Sequence, residues 1–250
     1  MKCNYTLEGE GEKTIIFIHG LSDSLQYWEV LSLKLSKDYQ ILRYDLRGHG
    51  ESEFSPFTMD DLAEDLYELT TKLNIKKASL AGLSLGGNVA LKFAIKYPEI
   101  VENLIIMSSF SEVDENLRSK FLEFRDAINI GFKEFFDSII KYVLPEDIID
   151  ENYELLQANR DFLAQKANPD GIKQGIEIGM KFNVTDELKN IKVPALILAG
   201  RDDEISTNDL QHILNDNIDD SRLIFFENTK HNILIGENVS VIEKLIRQLL

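Results

Sequence analysis

Residues 82–86 read Gly-Leu-Ser-Leu-Gly, which places Ser84 between two glycines. A short apolar run ends at Ala81, directly before this motif, and a helical pattern begins at Leu85. A sharp turn from strand to helix lifts a serine hydroxyl above the end of a sheet, and the flanking glycines remove Cβ atoms that would clash in that turn. The motif therefore predicts Ser84 as a nucleophile that attacks an acyl carbon.

A serine hydroxyl is a poor nucleophile until a base takes its proton, so a histidine must lie within hydrogen-bond reach. Among the four histidines, His19 and His49 lie in tight glycine loops, and His212 lies in a polar helical pattern. His231 follows the last predicted strand in a short loop. In an α/β fold that loop lies at the carboxyl edge of the sheet, where Ser84 would also lie. We therefore predict His231 as the general base.

The imidazole of such a histidine needs a carboxylate that fixes its tautomer and stabilises its charged form. The apolar run at residues 195–199 is followed by Gly-Arg-Asp-Asp, so Asp202 and Asp203 both follow a predicted strand at the same edge. Position alone leaves both acids open. Either choice gives the chain order serine, acid, histidine, which is a known order for this constellation.

Two backbone N–H groups must also stabilise the oxyanion of a tetrahedral intermediate, because losing one such donor slows catalysis by about 10²–10³-fold. Leu85 begins a predicted helix, and the helix dipole supports its N–H as one donor. The second donor is predicted to be the N–H of Leu21, which follows His19-Gly20 at the end of the first buried run.

The elements that must position these residues alternate along the chain. Short apolar runs closed by Gly, Ser, Asp or Asn predict buried strands at residues 14–18, 40–44, 78–81, 104–107, 195–199 and 223–226. Helical patterns lie at residues 25–35, 60–73, 85–95, 208–214 and 239–250. Strands that are apolar on both faces and alternate with helices predict an α/β fold with a mostly parallel central sheet flanked by helices.

Residues 112–183 interrupt this alternation. They contain no convincing strand pattern, and large apolar side chains recur there at helical spacing. The recurring residues are Phe121, Phe124, Ile128, Phe132, Phe135, Phe136, Ile139 and Ile140. We predict a helical cap at residues 112–183, which divides the core into residues 1–111 and 184–250. The alternative is a set of ordinary helices that extend the core.

Composition and charge exclude several classes of partner. The chain has 250 residues and a formal net charge of −16, which argues against binding to nucleic acids or anionic membranes because both attract clustered Lys and Arg. Cys3 is the single cysteine, so an intramolecular disulfide is impossible and a cytoplasmic location is expected. No apolar run has the length of a signal peptide or a membrane span.

No cluster has the spacing of metal ligands, and we expect neither a metal nor a cofactor. The glycine-containing loop at residues 45–52 lacks the spacing of a phosphate-binding P-loop. We predict that this loop is structural and that internal hydrogen bonds satisfy Arg47 and His49. A small-molecule substrate is then the one partner that the sequence indicates.

Five segments, in this order, resemble the motifs of the α/β-hydrolase superfamily: residues 18–21 (Ile-His-Gly-Leu), 44–52 (Tyr-Asp-Leu-Arg-Gly-His-Gly-Glu-Ser), 82–87 (Gly-Leu-Ser-Leu-Gly-Gly), 200–203 and 231. Within it the chain is most similar to the carboxylesterase and 3-oxoadipate enol-lactonase-like branch. The resemblance implies that family's fold and a triad of Ser84, Asp203 and His231, with the acid at the third position after Gly200. Lys230 departs from the family pattern, which usually has glycine there.

The resemblance implies hydrolysis of small to medium carboxylic esters through an acyl-enzyme. One alternative is a lactonase for an anionic enol-lactone, which would need a cation that Arg118, Arg125 or Arg160 could supply. Carbon–carbon bond hydrolysis is a second alternative, and a non-catalytic ligand-binding protein on the same scaffold is a third.

Overall fold

The computed structural model describes residues 2–250. Seven strands in this part of the chain form one sheet: β1 (Tyr5–Glu8), β2 (Thr14–Ile18), β3 (Gln40–Tyr44), β4 (Ala78–Leu83), β5 (Val101–Met107), β6 (Ala195–Gly200) and β7 (Ser221–Phe226). Their order across the sheet is β1-β3-β2-β4-β5-β6-β7. Strand β1 pairs antiparallel with β3, and the other neighbouring pairs are parallel. The predicted α/β fold with a mostly parallel sheet is therefore confirmed.

Helices connect and flank the strands. Within residues 2–250 the α-helices are α1 (Glu29–Leu35), α2 (Met59–Lys72), α3 (Leu85–Lys96), α4 (Glu115–Ile130), α5 (Phe132–Val143), α6 (Glu146–Glu151), α7 (Tyr153–Ala164), α8 (Pro169–Met180), α9 (Asn208–Asn217) and α10 (Asn238–Leu249). Short 3₁₀ helices at Leu25–Trp28 and Thr185–Asn190 precede α1 and β6. The helices α4 to α8 all lie between β5 and β6 in the chain.

The sheet is buried on both faces. Successive side chains of a strand point to opposite faces, so Ile16 and Ile18 of β2 join one apolar cluster with residues of α2 and α3. Ile15 and Phe17 of the same strand join a second cluster with residues of α1 and α10. This double burial explains why the central strands are continuous apolar runs in the sequence. It also holds their carboxyl ends rigidly at one edge.

Four strand bounds differ from the sequence prediction, since β4 extends to Leu83, β6 extends to Gly200, β5 begins at Val101 and β7 begins at Ser221. Two further local features also differ. The edge strand β1 was not predicted, because its residues are only partly buried and form no continuous apolar run. The helical pattern at residues 25–35 is a 3₁₀ turn followed by α1, rather than one helix. Neither difference moves the ends of the strands that carry the predicted site residues.

The helical segment, residues 112–183, has two differently packed parts. Buried residues of α4 and α5 include Phe124 and Phe135, whose rings meet edge to face with centroids 6.2 Å apart. By contrast, α6 and α7 contain no buried residue, and Leu155 of α7 is 67% exposed. All residues of this segment are described, and none of them lies in a strand.

Candidate active site

Ser84 lies at the turn between β4 and α3 in a backbone conformation that side chains rarely adopt, with φ 51° and ψ −116°. The Ser84 N–H donates to the carbonyl of Met107 at 2.9 Å, which fixes the turn to the neighbouring strand. A Cβ atom on Gly86 would lie 2.1 Å from the carbonyl oxygen of Ile18, and one on Gly82 would lie 2.3 Å from the carbonyl oxygen of Gly86. The two glycines are therefore required by close backbone contacts on both sides of the serine.

His231 lies in the loop after β7 and is joined to Asp203, in the loop after β6. Its Nδ1 lies 2.8 Å from Oδ2 of Asp203. His231 is 7% exposed and Asp203 is 5% exposed, so water competes little for this hydrogen bond. Because Nδ1 is engaged by the carboxylate, Nε2 is the ring nitrogen left for a proton transfer.

Three further groups hold the Asp203 carboxylate in place. The N–H groups of Ile205 and Ser206 donate to its Oδ1 at 2.8 and 3.1 Å. The Ser206 hydroxyl donates to its Oδ2 at 2.7 Å. Asp202, the other candidate acid, is exposed at the surface. Ser206 was missed in the sequence analysis; its one signal was its position three residues after Asp203, within the range where an Asp side chain can accept from backbone N–H groups.

The histidine loop is anchored to the helical segment. The N–H groups of His231 and Asn232 donate to the carbonyls of Tyr142 and Val143, at 3.3 and 3.0 Å. The Lys230 ammonium donates to the carbonyl of Lys141 at 2.6 Å and also forms an ion pair with Glu204. Lys230, where the resembled family usually has glycine, thus connects the histidine loop to α5 and to the acid loop.

The two predicted oxyanion donors, Leu85 and Leu21, lie at the start of α3 and in the loop after β2. Leu85 is the first residue of α3, and the N–H of such a residue has no acceptor within its own helix. Gly20 packs beside the nucleophile, because a Cβ built on it would lie 3.6 Å from Cβ of Ser84. Leu21 is the next residue along this loop, and both Leu21 and Leu85 line the same cavity as Ser84.

His19 and His49 are buried beneath this edge and have structural contacts. Leu46 N–H donates to Nε2 of His19 at 2.9 Å, and His19 Nδ1 lies 2.8 Å from the carbonyl of Gly20. Burial, with a smaller contribution from nearby His49, lowers the pKa of His19 to about 3. A neutral His19 therefore connects the loop after β2 to the loop after β3.

The loop at residues 45–52 is held by internal bonds, largely as expected. The Arg47 guanidinium forms two hydrogen bonds with Asp65, at 2.9 and 2.6 Å. His49 Nδ1 lies 3.1 Å from the carbonyl of Arg47, but its buried Nε2 has no partner within residues 2–250. The prediction that internal hydrogen bonds satisfy both side chains therefore holds for Arg47 and only for one nitrogen of His49.

A cavity of about 330 Å³ opens in front of Ser84 and His231. Its lining is mostly aromatic and aliphatic, and the helical segment supplies most of these side chains: Phe121, Phe124, Phe132, Phe135, Phe136, Ile139, Ile140, Val143, Leu144, Leu156 and Leu163. The lining contains no Lys or Arg among the described residues. Arg118, Arg125 and Arg160 therefore do not supply the cation considered for an anionic lactone. Arg160 instead pairs with Asp137 at 2.8 Å.

Within residues 2–250, no group of three or more His, Cys, Asp or Glu side chains is arranged to hold a metal ion. No helix in the described chain combines the length and the apolar character needed to cross a membrane. Cys3 lies outside the cavity lining, and burial raises the pKa of its thiol to about 11. A thiol with that pKa is a weak nucleophile at neutral pH.

Sequence comparison connects this arrangement with known proteins. The profile of the family described as alpha/beta hydrolase fold matches residues 13–237. A protein of Pantoea ananatis named "Putative carbamate hydrolase RutD" is 28% identical over 198 residues, which are 76% of this chain and 71% of that protein. The 3-oxoadipate enol-lactonase 2 of Acinetobacter baylyi is 25% identical over 211 residues, which are 82% of this chain and 77% of that protein.

Solved structures share the whole architecture. MGS-M2, an alpha/beta hydrolase enzyme from a Medee basin deep-sea metagenome library, superposes with a TM-score of 0.91 at 21% identity, covering 99% of this chain and 93% of that one. The enol-lactonase from Burkholderia xenovorans LB400 superposes with a TM-score of 0.88 at 24% identity, covering 99% and 95%. At these identities the similarity establishes a shared fold.

Proposed function

The chain is a hydrolase that belongs to the alpha/beta hydrolase fold family, and on that premise we propose that it hydrolyses small to medium carboxylic esters through an acyl-enzyme. Ser84 is the nucleophile, His231 is the general base, and Asp203 orients the histidine. The observation that carries the proposal is the 2.8 Å bond from His231 Nδ1 to Asp203, beside a cavity that Ser84 and His231 both line.

In the proposed mechanism His231 Nε2 takes the proton of Ser84 Oγ as that oxygen attacks the ester carbonyl. The N–H groups of Leu21 and Leu85 stabilise the resulting oxyanion. The imidazolium then gives its proton to the leaving alcohol. In the second half of the reaction His231 takes a proton from water as the water attacks the acyl-enzyme, and it returns that proton to Ser84 Oγ as the acid product leaves. Asp203 stays ionised throughout and stabilises the charged imidazole.

The cavity supports a substrate of limited size with an apolar part. A volume of about 330 Å³ lies at the lower end for small-molecule sites, and the mostly hydrocarbon lining favours an apolar acyl or alcohol group. In this proposal residues 112–183 act as a cap over a core formed by residues 1–111 and 184–250. The cap supplies the wall that selects the substrate, whereas the core supplies the reacting groups.

Hydrolysis of an anionic enol-lactone is the second candidate, since one relative is named 3-oxoadipate enol-lactonase 2. The cavity argues against this substrate class, because its described lining has no cationic side chain to balance a carboxylate. A neutral lactone or a carbamate would meet the same nucleophile and the same apolar wall. These compounds therefore belong in the substrate panel beside the linear esters.

The first experiment measures initial rates on p-nitrophenyl esters of increasing acyl length, for the wild type and for Ser84→Ala. Ser138→Ala is the matched control, because the Ser138 hydroxyl bonds only within its own helix and does not line the cavity. We expect turnover in the wild type and in the control, and none above background in Ser84→Ala. A fluorophosphonate reagent should label the wild type at Ser84 and leave the variant unlabelled.

The result that contradicts the proposal is equal ester turnover in the wild type and in Ser84→Ala. Labelling of Ser84 without turnover of any ester would retain the nucleophile but exclude the ester substrate. Lactones and carbamates would then be tested in the same pair of proteins. The length of the best acyl chain would measure the depth of the cavity beneath the cap.

A further inference from the structure

The reaction described above leaves one acidic side chain of the cavity unused. Asp23 lies in the loop after β2 and lines the same cavity as Ser84 and His231. It is the one acidic residue in the described lining. Within residues 2–250, the hydrogen bond that its carboxylate accepts is a single contact from the adjacent Ser24 N–H, at 3.3 Å. No Lys or Arg is among the described residues that line the cavity with it.

A carboxylate in an apolar cavity is unfavourable unless it is paired. Asp23 is half-buried in the wall of this cavity. Desolvation by the surrounding protein is the main cause that raises its pKa to about 7; the Ser24 N–H opposes this rise, and the nearby Asp45 carboxylate adds to it. Two other polar side chains of the lining are engaged elsewhere. Tyr27 donates its hydroxyl to Asn232 at 2.7 Å, and His231 is paired with Asp203.

Resting on the ester hydrolysis proposed at Ser84, we propose that Asp23 binds a cationic group of the substrate, so that the preferred substrates are esters carrying an ammonium group. Such a group supplies the cationic partner that the described cavity lining lacks. The aromatic side chains that line the cavity are also compatible with a cation, because the faces of aromatic rings attract positive charge.

The charge of the whole molecule acts in the same direction. A formal net charge of −16 creates a negative potential that draws cations toward the molecule and repels anions. A cavity lining without Lys or Arg offers no competing partner for Asp23 and no counter-charge for an anionic ester. Local and overall electrostatics therefore favour the same class of substrate.

The test compares each cationic ester with a neutral ester of the same shape. One pair carries the charge in the alcohol: 2-(trimethylammonio)ethyl acetate and 3,3-dimethylbutyl acetate. The second carries it in the acyl chain: p-nitrophenyl 4-(trimethylammonio)butanoate and p-nitrophenyl 5,5-dimethylhexanoate. The quantity measured is the ratio of kcat/KM for the cationic ester to kcat/KM for its neutral partner. Because both esters use the same Ser84 and His231, a change in the catalytic groups cancels in this ratio.

We expect the wild type to prefer the cationic ester at least about tenfold in one of the two pairs, a size typical of one well-placed charge contact. Asp23→Asn keeps the shape of the side chain and removes its charge, so the ratio should fall to about one or below. Asp202→Asn is the matched control, because Asp202 is exposed and does not line the cavity, and the ratio should be retained.

The pH dependence gives a second readout that needs no variant. Asp23 becomes charged as the pH rises through about 7, so the wild-type ratio should increase between pH 6 and pH 8. Quaternary ammonium groups keep their charge over this range. Tetramethylammonium chloride should also inhibit hydrolysis of the neutral ester competitively, more strongly at pH 8 than at pH 6. These measurements remain available if Asp23→Asn fails to fold.

Two results would overturn the inference. One is a wild-type ratio of about one or below in both pairs, at pH 8. The other is a ratio that Asp23→Asn leaves unchanged. If the proposed ester hydrolysis itself were wrong, the result would differ: neither the neutral nor the cationic ester would be hydrolysed in a manner dependent on Ser84.

Discussion

Strand β4 and helix α7 contribute to the same cavity but are held in very different ways. Every residue of β4 is buried, and its end at Ser84 is fixed by backbone bonds and by glycine contacts with neighbouring strands. Helix α7 has no buried residue, although Leu156 and Leu163 line the cavity. Substitutions in the sheet edge should therefore affect chemistry and folding, whereas substitutions in α7 should affect which substrate is accepted.

The largest expected effect tests the chemical side of this comparison. Replacement of the buried Asp203 by Asn removes the charge that orients and stabilises His231, so kcat should fall by about 10³–10⁴-fold. Asp202→Asn, at the exposed neighbouring position, should change kcat less than about twofold. Steady-state kinetics on the best p-nitrophenyl ester measures both. Similar losses in the two variants would show that the acid had been assigned to the wrong residue or that the loop tolerates no change.

The second effect tests the rigidity of the sheet edge. Gly86→Ala would place a Cβ atom 2.1 Å from the carbonyl oxygen of Ile18, and relieving that overlap must move backbone. We expect destabilisation of about 3 kcal/mol, at the upper end for overpacking, together with loss of activity. Gly131→Ala is the control in the helical segment, because its new Cβ would meet only the flexible side chain of Glu134. Urea unfolding would contradict the comparison if both variants lost the same stability.

The third effect tests the role of α7 through two neighbouring leucines. Leu156 lines the cavity, whereas Leu155 is 67% exposed. Leu156→Trp should shift the best acyl chain to a shorter length, by several-fold in relative kcat/KM, with little change in the free energy of unfolding. Leu155→Ser should alter neither quantity, because single surface positions usually contribute less than about 0.5 kcal/mol. An unchanged acyl-length profile in Leu156→Trp would argue that α7 does not bound the substrate.

The last effect is on the pH dependence of stability and concerns Asp23, on the loop that faces the helical segment. Its pKa is about 7 in the folded chain and about 4 when unfolded, so the unfolded chain releases this proton first as the pH rises. The wild type should therefore lose stability through this group between about pH 4 and pH 7. Asp23→Asn removes the loss, and its Tm should exceed that of the wild type at pH 8, by about 2–4 °C for each kcal/mol regained.

Near pH 4 the two proteins should unfold at the same temperature, because Asp23 is then mostly protonated in the folded chain and about half protonated when unfolded. Asp202→Asn again serves as the control and should show no such dependence on pH, since that side chain is exposed. A lower Tm for Asp23→Asn at pH 8 would mean that the carboxylate has a stabilising partner after all.

The contrast between the buried sheet and the exposed parts of the molecule also explains which features the sequence could predict. Strands β2 and β3 were predicted with the correct bounds, because central strands buried on both faces are unbroken apolar runs. The turn at Ser84 was predictable because its conformation requires glycines at fixed positions. Strand β1 was not, since a partly exposed edge strand depends on pairing with a distant strand that no local pattern reveals.

For a similar reason, the sequence could not show which side chains line the cavity. Helical spacing indicated that residues 112–183 are helical, but the side chains of α4, α5 and α7 that face Ser84 depend on how the helices cross. The sequence did not single out Asp23, because the lack of a Lys or Arg beside it in the described cavity lining is visible only in three dimensions. The three arginines that were candidates for that cavity lie elsewhere, and nothing in their spacing could have shown it.

The order of the strands has a consequence for the synthesis of the protein. Ser84 follows β4, near the centre of the sheet, whereas Asp203 and His231 follow β6 and β7, which are added later and at one side. A growing chain on the ribosome can thus pair β2, β3 and β4 long before the histidine has been made. Whatever the order of folding, the Ser84 hydroxyl has no base until His231, in the loop after the last strand of the sheet, has been synthesised and docked.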